Sequence, residues 1–173
     1  LIAGANRGRE RLEAFGRRWG VDALYQDYRR MFEKENLDIV CLATHPGTHA
    51  EITVAAAEAG VKGIFCEKPI SVSLKEADQM VETCRKKGLP LACGAINRNN
   101  PYLWKARELI EEGEIGEVKS IILHNGADEI SGGGCHSLNV ARLLAGDPEV
   151  SWVIGHMEVD PWIDDDQGAH GYI

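Results

Sequence analysis

The stretch that decides the fold is Gly63-Ile64-Phe65-Cys66-Glu67-Lys68-Pro69. Its first four residues are an apolar run typical of a buried strand, and an acid, a base and a proline follow. Ser73 and Glu76 then stand at the spacing of a capping box, which predicts that a helix begins there. Open α/β sheets hold their ligands at the carboxyl ends of the strands. The stretch therefore predicts an α/β fold with a site at Glu67 and Lys68.

The first 95 residues alternate apolar runs with helical patterns on both sides of this stretch. Strands are predicted at 1–5, 23–25, 38–43, 63–66 and 90–94, and helices at 10–19, 28–34, 49–59 and 74–87. Such alternation predicts βαβ units around a parallel sheet. The run at 38–43 is apolar throughout, which predicts a strand that is covered on both faces.

The pattern changes after residue 95 and predicts a second domain of α+β type over 96–173. Helices are expected at 102–112 and 136–144, and longer strands at 118–124 and 150–159. The sequence opens in the body of a strand without an initiator methionine and stops abruptly. We therefore expect the first domain to be incomplete at its amino end and the second at its carboxyl end.

Composition excludes several classes of protein. The chain has 173 residues, 44% of them hydrophobic, and a net charge of −8, which argues against a nucleic-acid binder. No apolar run approaches the length that spans a bilayer, and no signal-peptide pattern is present, so a cytoplasmic protein without a membrane partner is predicted. Five cysteines without a C-x-x-C pair favour neither a disulfide framework nor a zinc site, and no metal site is predicted.

Two regions carry candidate chemistry by their residue types alone. Lys68 follows a buried strand, where reduced hydration suits an amine to proton transfer, although it is also placed to form a surface ion pair with Glu67. His45 and His49 flank a turn that opens a helix, where backbone N–H groups favour an anionic ligand. The proline and glycine between the two histidines disfavour a helical metal motif.

His136 stands at the predicted start of a helix behind the glycine-rich segment 131–134. Glycine lets the backbone approach a ligand closely, so this imidazole is a candidate for a cleft. The alternative is a helix-start histidine that is satisfied locally. A nucleophilic pair with Cys135 is disfavoured because adjacent residues seldom face one another.

Four motifs together resemble the Gfo/Idh/MocA family of NAD(P)-dependent oxidoreductases, and the resemblance covers nearly the whole chain. They are Ala43-Thr44-His45-Pro46-Gly47-Thr48-His49, Cys66-Glu67-Lys68-Pro69, Asn97-Arg98 with Pro101, and the segment from His136 to Gly146. The resemblance implies a Rossmann-type parallel sheet domain over 1–95. It also implies a substrate and oligomerisation domain over 96–173 with an open, mainly antiparallel sheet.

The resemblance also implies roles for individual residues. Cofactor contacts are implied for Thr44, His45, Pro46, His49, Glu67 and Lys68. Lys68 would touch both the nicotinamide ribose and the reacting hydroxyl, and its peptide bond to Pro69 is often cis in the family. His136 would bind or deprotonate the substrate hydroxyl, which makes Lys68 and His136 the catalytic pair, and Arg98 is a further substrate contact.

Two features depart from the family pattern. The chain begins as if at the second Rossmann strand, so the glycine fingerprint of the first strand is not in it. Gly132 stands four residues before His136, where the family pattern has an aspartate, and this departure puts the activity in question.

The preference between NAD and NADP rests on the residues after the first predicted strand. Asn6 occupies the position of the acid that holds a ribose 2′-hydroxyl, and Arg7 follows it. Arg7 can pair with a 2′-phosphate, which slightly favours NADP. Asparagine can also bind the plain ribose diol, and the arginines can be a solvated helix start, so both cofactors stay open.

The sequence thus predicts a homo-oligomeric oxidoreductase that transfers a hydride between a nicotinamide cofactor and a sugar or cyclitol hydroxyl. One alternative is a non-catalytic dinucleotide- or sugar-binding protein of the same fold. Another is a lyase or glycosidase that keeps its cofactor bound and uses a transient keto intermediate.

Overall fold

The computed structural model describes residues 1–124 and 133–156. The chain divides into two compact units, Leu1–Cys93 and Gly94–Ile173. The division falls close to the change of pattern at residue 95.

The first unit alternates five strands with four helices, as the sequence predicts. The strands are β1 (Ala3–Ala5), β2 (Ala23–Tyr25), β3 (Ile39–Leu42), β4 (Gly63–Cys66) and β5 (Leu91–Cys93). The helices are α1 (Arg9–Trp19), α2 (Tyr28–Lys34), α3 (His49–Glu58) and α4 (Leu74–Lys86), and a 3₁₀ turn at Pro46–Thr48 precedes α3. The helix α1 ends at Gly20, whose φ of 65° places it in the left-handed region that glycine adopts without strain.

All strand pairs are parallel, which confirms the predicted class of sheet. They form two sheets and not one: β1 pairs with β2, and β3, β4 and β5 pair in that order. No backbone hydrogen bond joins the first pair to the other three strands in the described part of the chain.

The core of the first unit lies between the three-stranded sheet and helices α3 and α4. Val40 and Leu42 of β3 are buried there beside Met80 of α4, whereas Ile39 is 66% exposed. Successive side chains of a strand point to opposite faces, so only one face of β3 is covered. The prediction that β3 is covered on both faces is therefore wrong: α3 and α4 supply the covering layer on one face only.

The start of α4 confirms half of the predicted capping box. Ser73 Oγ accepts a hydrogen bond from the backbone N–H of Glu76 at 3.3 Å. The Ser73 N–H donates to Ser71 Oγ at 3.3 Å. Ser71 therefore takes the place that the Glu76 carboxylate has in a complete box.

The second unit contains helices α5 (Pro101–Glu111) and α6 (Cys135–Leu144), with a 3₁₀ turn at Ile96–Asn99 before α5. Asn100 Oδ1 caps α5 by accepting from the Tyr102 N–H at 2.9 Å. The strands predicted from 118 and from 150 are not confirmed, because residues 118–124 and 150–156 are not strands; residues 157–159 lie outside the described part. A strand requires a ladder of backbone hydrogen bonds, and neither segment has one with other described residues. The predicted antiparallel sheet is likewise not seen there.

Helices in the described part of the chain were also compared with the length and hydropathy that a bilayer requires. None of them is both long and apolar enough to cross a membrane.

Candidate functional site

Two turns leave neighbouring strands at the same edge of the three-stranded sheet. In the parallel register, Leu42 of β3 pairs with Cys66 of β4. Thr44 and Lys68, just beyond these paired residues, therefore stand at the carboxyl edge where parallel sheets hold ligands. The Lys68–Pro69 peptide bond is cis, as the resemblance implies.

The turn after β3 is held by its own side chains. Thr48 Oγ1 donates to the carbonyl oxygen of His45 at 2.8 Å and lies 2.9 Å from Thr44 Oγ1. His45 Nδ1 accepts from the Gly47 N–H at 3.3 Å, which caps the 3₁₀ turn at Pro46–Thr48. The side chains of Thr44 and His45 are exposed, so this turn presents a hydroxyl and an imidazole at the edge of the sheet.

The turn after β4 continues the sheet by one hydrogen bond before it bends. The Glu67 N–H donates to the Leu42 carbonyl oxygen at 2.9 Å, and the Lys68 N–H donates to Glu67 Oε2 at 3.1 Å. Glu67 is exposed and Lys68 is half-buried. The Glu67 carboxylate thus shapes the backbone of the turn that carries the Lys68 amine.

His49 lies beneath both turns and is fully buried, with 0% of its surface exposed. Its Nε2 is 3.0 Å from the Thr44 carbonyl oxygen, and its Nδ1 is 3.1 Å from that of Pro69 and 3.2 Å from that of Ile70. The prediction that His49 contacts the cofactor does not fit this geometry, because both ring nitrogens are engaged inside the protein.

Cys66 is the last residue of β4, directly before Glu67, and is fully buried. Its Sγ lies 3.3 Å from the Glu67 carbonyl oxygen, and burial raises the pKa of its thiol to about 12. A thiol that stays protonated is a poor nucleophile. Cys66 is therefore a packing residue of the core and not a reactive group.

Asn6 and Arg7 lie at the carboxyl end of β1, at the start of a shallow groove that runs to Arg11. Asn6 Oδ1 accepts from the Gly8 N–H at 2.8 Å, and the Arg7 carbonyl oxygen accepts from Gln26 Nε2 at 3.1 Å. The Asn6 side chain thus shapes the turn into α1, while the exposed Arg7 is one of three arginines that line this groove, with Arg9 and Arg11.

The second unit contains the two other predicted site residues, His136 and Arg98. His136 lies in the first turn of α6, and its Nδ1 is buried without a hydrogen-bond partner among the described residues. Such an atom is costly to bury unless something binds it, which supports a functional position. Gly132, the departure from the family pattern, lies outside the described residues.

Arg98 is committed to an ion pair that the sequence did not predict. Its guanidinium donates to Asp147 Oδ1 at 2.8 Å and also to Oδ2, and Arg107 reaches Oδ2 at 3.2 Å. The hydrogen bond from Arg98 lowers the pKa of the Asp147 carboxyl below its usual value. The one sequence signal for Asp147 was its position directly after Gly146, where helix α6 ends.

The two units thus hold separate parts of the predicted site. The first brings Lys68 together with Thr44, His45 and Glu67, and the second carries His136 and Arg98. No group of three or more histidine, cysteine, aspartate or glutamate side chains in the described residues is arranged to hold a metal ion.

Comparison with known proteins gives a family match over the first unit. Residues 1–95 match the Gfo/Idh/MocA model, described as an oxidoreductase family with an NAD-binding Rossmann fold. D-apiose dehydrogenase of Paraburkholderia graminis is 31% identical over 85% of this chain and 43% of its own length. Myo-inositol 2-dehydrogenase of Thermotoga maritima is 34% identical over 62% of this chain and 32% of its own length.

A solved structure matches across both units. It is an oxidoreductase from Agrobacterium radiobacter in complex with NAD+, L-tartaric acid and magnesium. That chain is 26% identical with a TM-score of 0.73, and the match covers 84% of this chain and 47% of that one. This chain spans less than half the length of each of these three proteins.

Proposed function

We propose that this chain, which belongs to the Gfo/Idh/MocA family of oxidoreductases, forms the nicotinamide-facing edge of an NAD(P)-dependent dehydrogenase of sugars or cyclitols. The observation that carries the proposal is the pairing of two turns at one sheet edge. Thr44 and His45 lie after β3 and Lys68 lies after β4, in register. The names of the two curated relatives support a polyhydroxylated substrate.

The residues at this edge fit part of a dinucleotide. Exposed Thr44, His45 and Glu67 offer hydrogen-bonding groups of the kind that a ribose binds, and Arg7 lies at the end of a separate strand. The bound nicotinamide supplies the site of hydride transfer. Because the Cys66 thiol is buried, the ionisable side chains that the β4 turn presents are those of Glu67 and Lys68.

Lys68 and His136 divide the remaining work in this proposal. The Lys68 amine orients the reacting hydroxyl and moves its proton, because a half-buried amine at a strand end is less hydrated than one on the surface. His136 is the second acid–base group. Arg98 lies in the same unit, in the 3₁₀ turn that contacts α6, and is held by Asp147. In this proposal Arg98 positions the backbone of the substrate region through its ion pair with Asp147, and direct contact with the substrate is its lesser role.

Three finer points belong to the same proposal. Arg7 favours a cofactor with a 2′-phosphate, so NADP is preferred slightly over NAD. The protein is proposed to act in the cytoplasm and to assemble as a homo-oligomer through its C-terminal region. Each point rests on the sequence features given above.

The test is a dehydrogenase assay on the protein expressed in full. A panel of sugars and cyclitols, including apiose and myo-inositol, is incubated with NAD+ or NADP+, and the absorbance of the reduced nicotinamide is followed. Steady reduction with at least one polyol is expected. Tight cofactor binding without turnover would instead indicate a binding protein, and product without net absorbance change would indicate lyase or glycosidase chemistry with retained cofactor.

A further inference from the structure

His49 is a buried histidine whose two ring nitrogens both lie close to backbone carbonyl oxygens. It begins α3, yet its ring is fully buried and is surrounded by three backbone carbonyl oxygens. One belongs to Thr44, in the turn after β3. The other two belong to Pro69 and Ile70, in the turn after β4. A single ring thus connects two turns that lie about twenty residues apart in sequence.

The chemistry of the three partners restricts what the ring can be. A carbonyl oxygen only accepts hydrogen bonds, and a neutral imidazole has one N–H and one lone pair. A neutral ring therefore leaves a lone pair facing a carbonyl oxygen at about 3 Å on one side. A ring that donates from both nitrogens satisfies carbonyls on both sides, and the three carbonyl dipoles compensate for its charge.

We propose that His49 is a positioning residue that donates from both ring nitrogens and so locks the Lys68–Pro69 turn against the Thr44 turn. The proposal rests on the proposed function, because the group that His49 positions is the Lys68 amine. Pro69 and Ile70 directly follow Lys68, so fixing their carbonyl oxygens fixes the path of the backbone that carries the amine. Thr44, on the other side of the ring, is fixed by the same means.

A packing role is the alternative that the test must separate. A buried histidine also fills space, and phenylalanine fills nearly the same space without donating a hydrogen bond. If His49 only packs, His49→Phe leaves both turns as ordered as before. If it holds the turns by hydrogen bonds, His49→Phe leaves three carbonyls unpaired, and His49→Gln, which keeps an amide donor, retains part of the order.

A matched control is available in the same helix. Thr53 is also fully buried, about one turn further along α3, and its Oγ1 has no hydrogen-bond partner in the described part of the chain. Thr53→Val removes a buried hydroxyl without removing a link between turns. We expect it to behave as the parent protein does.

The first measurement needs no enzymatic activity. Amide hydrogen exchange is measured by mass spectrometry on the protein expressed in full, together with the ring ¹⁵N spectrum of the histidines. We expect His49→Phe to speed exchange in residues 44–48 and 70–73 while α4 stays protected, with His49→Gln intermediate and Thr53→Val unchanged. In the parent protein, the His49 ring should show a proton on both nitrogens.

The second measurement concerns turnover. Misplacing a catalytic group by about 1 Å can cost about 10²-fold in rate, so His49→Phe should lower kcat by about that factor with little change in the KM of the sugar. Unchanged exchange in both turns of a folded His49→Phe, or a His49 ring with one bare nitrogen, overturns the proposal. A parent protein with no dehydrogenase activity would reject the proposed function alone, since exchange and ring spectrum still report on His49.

Discussion

At the scale of single residues, the amine of Lys68 is the group on which the proposed chemistry depends. We predict that Lys68→Ala lowers kcat by about 10²- to 10⁴-fold, the usual contribution of a positioned acid or base. The fold should be retained, because Lys68 lies at the end of a strand and is only half-buried. Steady-state kinetics together with circular dichroism measures both effects.

Lys62 provides the control for that substitution. It lies just before β4, is well exposed, and pairs with Asp38 at 2.6 Å. Lys62→Ala removes a lysine from the other end of the same strand and should leave turnover unchanged. Near-normal turnover in Lys68→Ala would end the assignment of proton transfer to this residue.

The cysteines of neighbouring strands should differ in reactivity. Burial raises the pKa of the Cys66 thiol to about 12, so this thiol stays protonated near neutral pH, whereas Cys41 is exposed on β3. Because the thiolate is the reactive form, we predict that iodoacetamide at about pH 8 modifies Cys41 well before Cys66. Peptide mass spectrometry at timed intervals checks the order, and equal rates in the folded protein would contradict the burial of Cys66.

At the scale of elements, the cap of α4 supports the helix that covers the core. Ser73→Ala removes the acceptor for the Glu76 N–H and should lower the free energy of unfolding by about 1 kcal/mol. Urea denaturation followed by circular dichroism measures this change. Lys75→Ala, an exposed substitution within the same helical turn, is the control and should have little effect. An equally small effect of Ser73→Ala would show that the Ser73 hydroxyl does not stabilise this helix start.

Elements were predictable where the signal is local. The helix ends at Gly20 and Gly88 and the cap at Ser73 each depend on one or two residues, and the structure has them where the sequence predicts. The strand predicted at 118–124 is not found in the structure, because an alternating pattern does not show whether a partner strand is present to complete the ladder. The contacts of His49 could not be predicted for the same reason. The carbonyl oxygens of Pro69 and Ile70 come close to the His49 ring only once β3 and β4 have paired.

At the scale of the whole molecule, the main buried apolar cluster of the first unit is the layer between the three-stranded sheet and helices α3 and α4. Met80 is 0% exposed in that layer, and its neighbour Val81 is 50% exposed. We predict that Met80→Ala lowers the free energy of unfolding by about 2–5 kcal/mol, since it removes buried methylenes and leaves a cavity. Val81→Ala is the adjacent control and should cost much less. Comparable costs for the two in urea denaturation would mean that Met80 is not part of a close-packed core.

The second unit is held differently. Leu143 is its one buried apolar residue in the described part of the chain, whereas Asp147 binds Arg98 and Arg107 and lies near Arg142 at 3.8 Å. Among the described residues of this unit, the charged hydrogen bonds of Asp147 are thus more numerous than buried apolar side chains. Asp147 has a φ of 56°, a conformation that asparagine also tolerates, so Asp147→Asn removes the charge without straining the backbone.

The pH dependence of that cluster follows from the sign of the shift. Because Arg98 lowers the pKa of the Asp147 carboxyl, the carboxylate stabilises the fold at pH values above the ordinary aspartate value of 3.8. This contribution is lost as the pH falls through 3.8 and then through the lower pKa of the folded state. We predict that Asp147→Asn lowers the urea midpoint of the second unit at neutral pH, and that the difference from the parent protein shrinks in acid. Glu149→Gln, an exposed substitution nearby, is the control. A difference between Asp147→Asn and the parent that stays constant down to acidic pH would show that the ionised carboxylate is not what stabilises this unit.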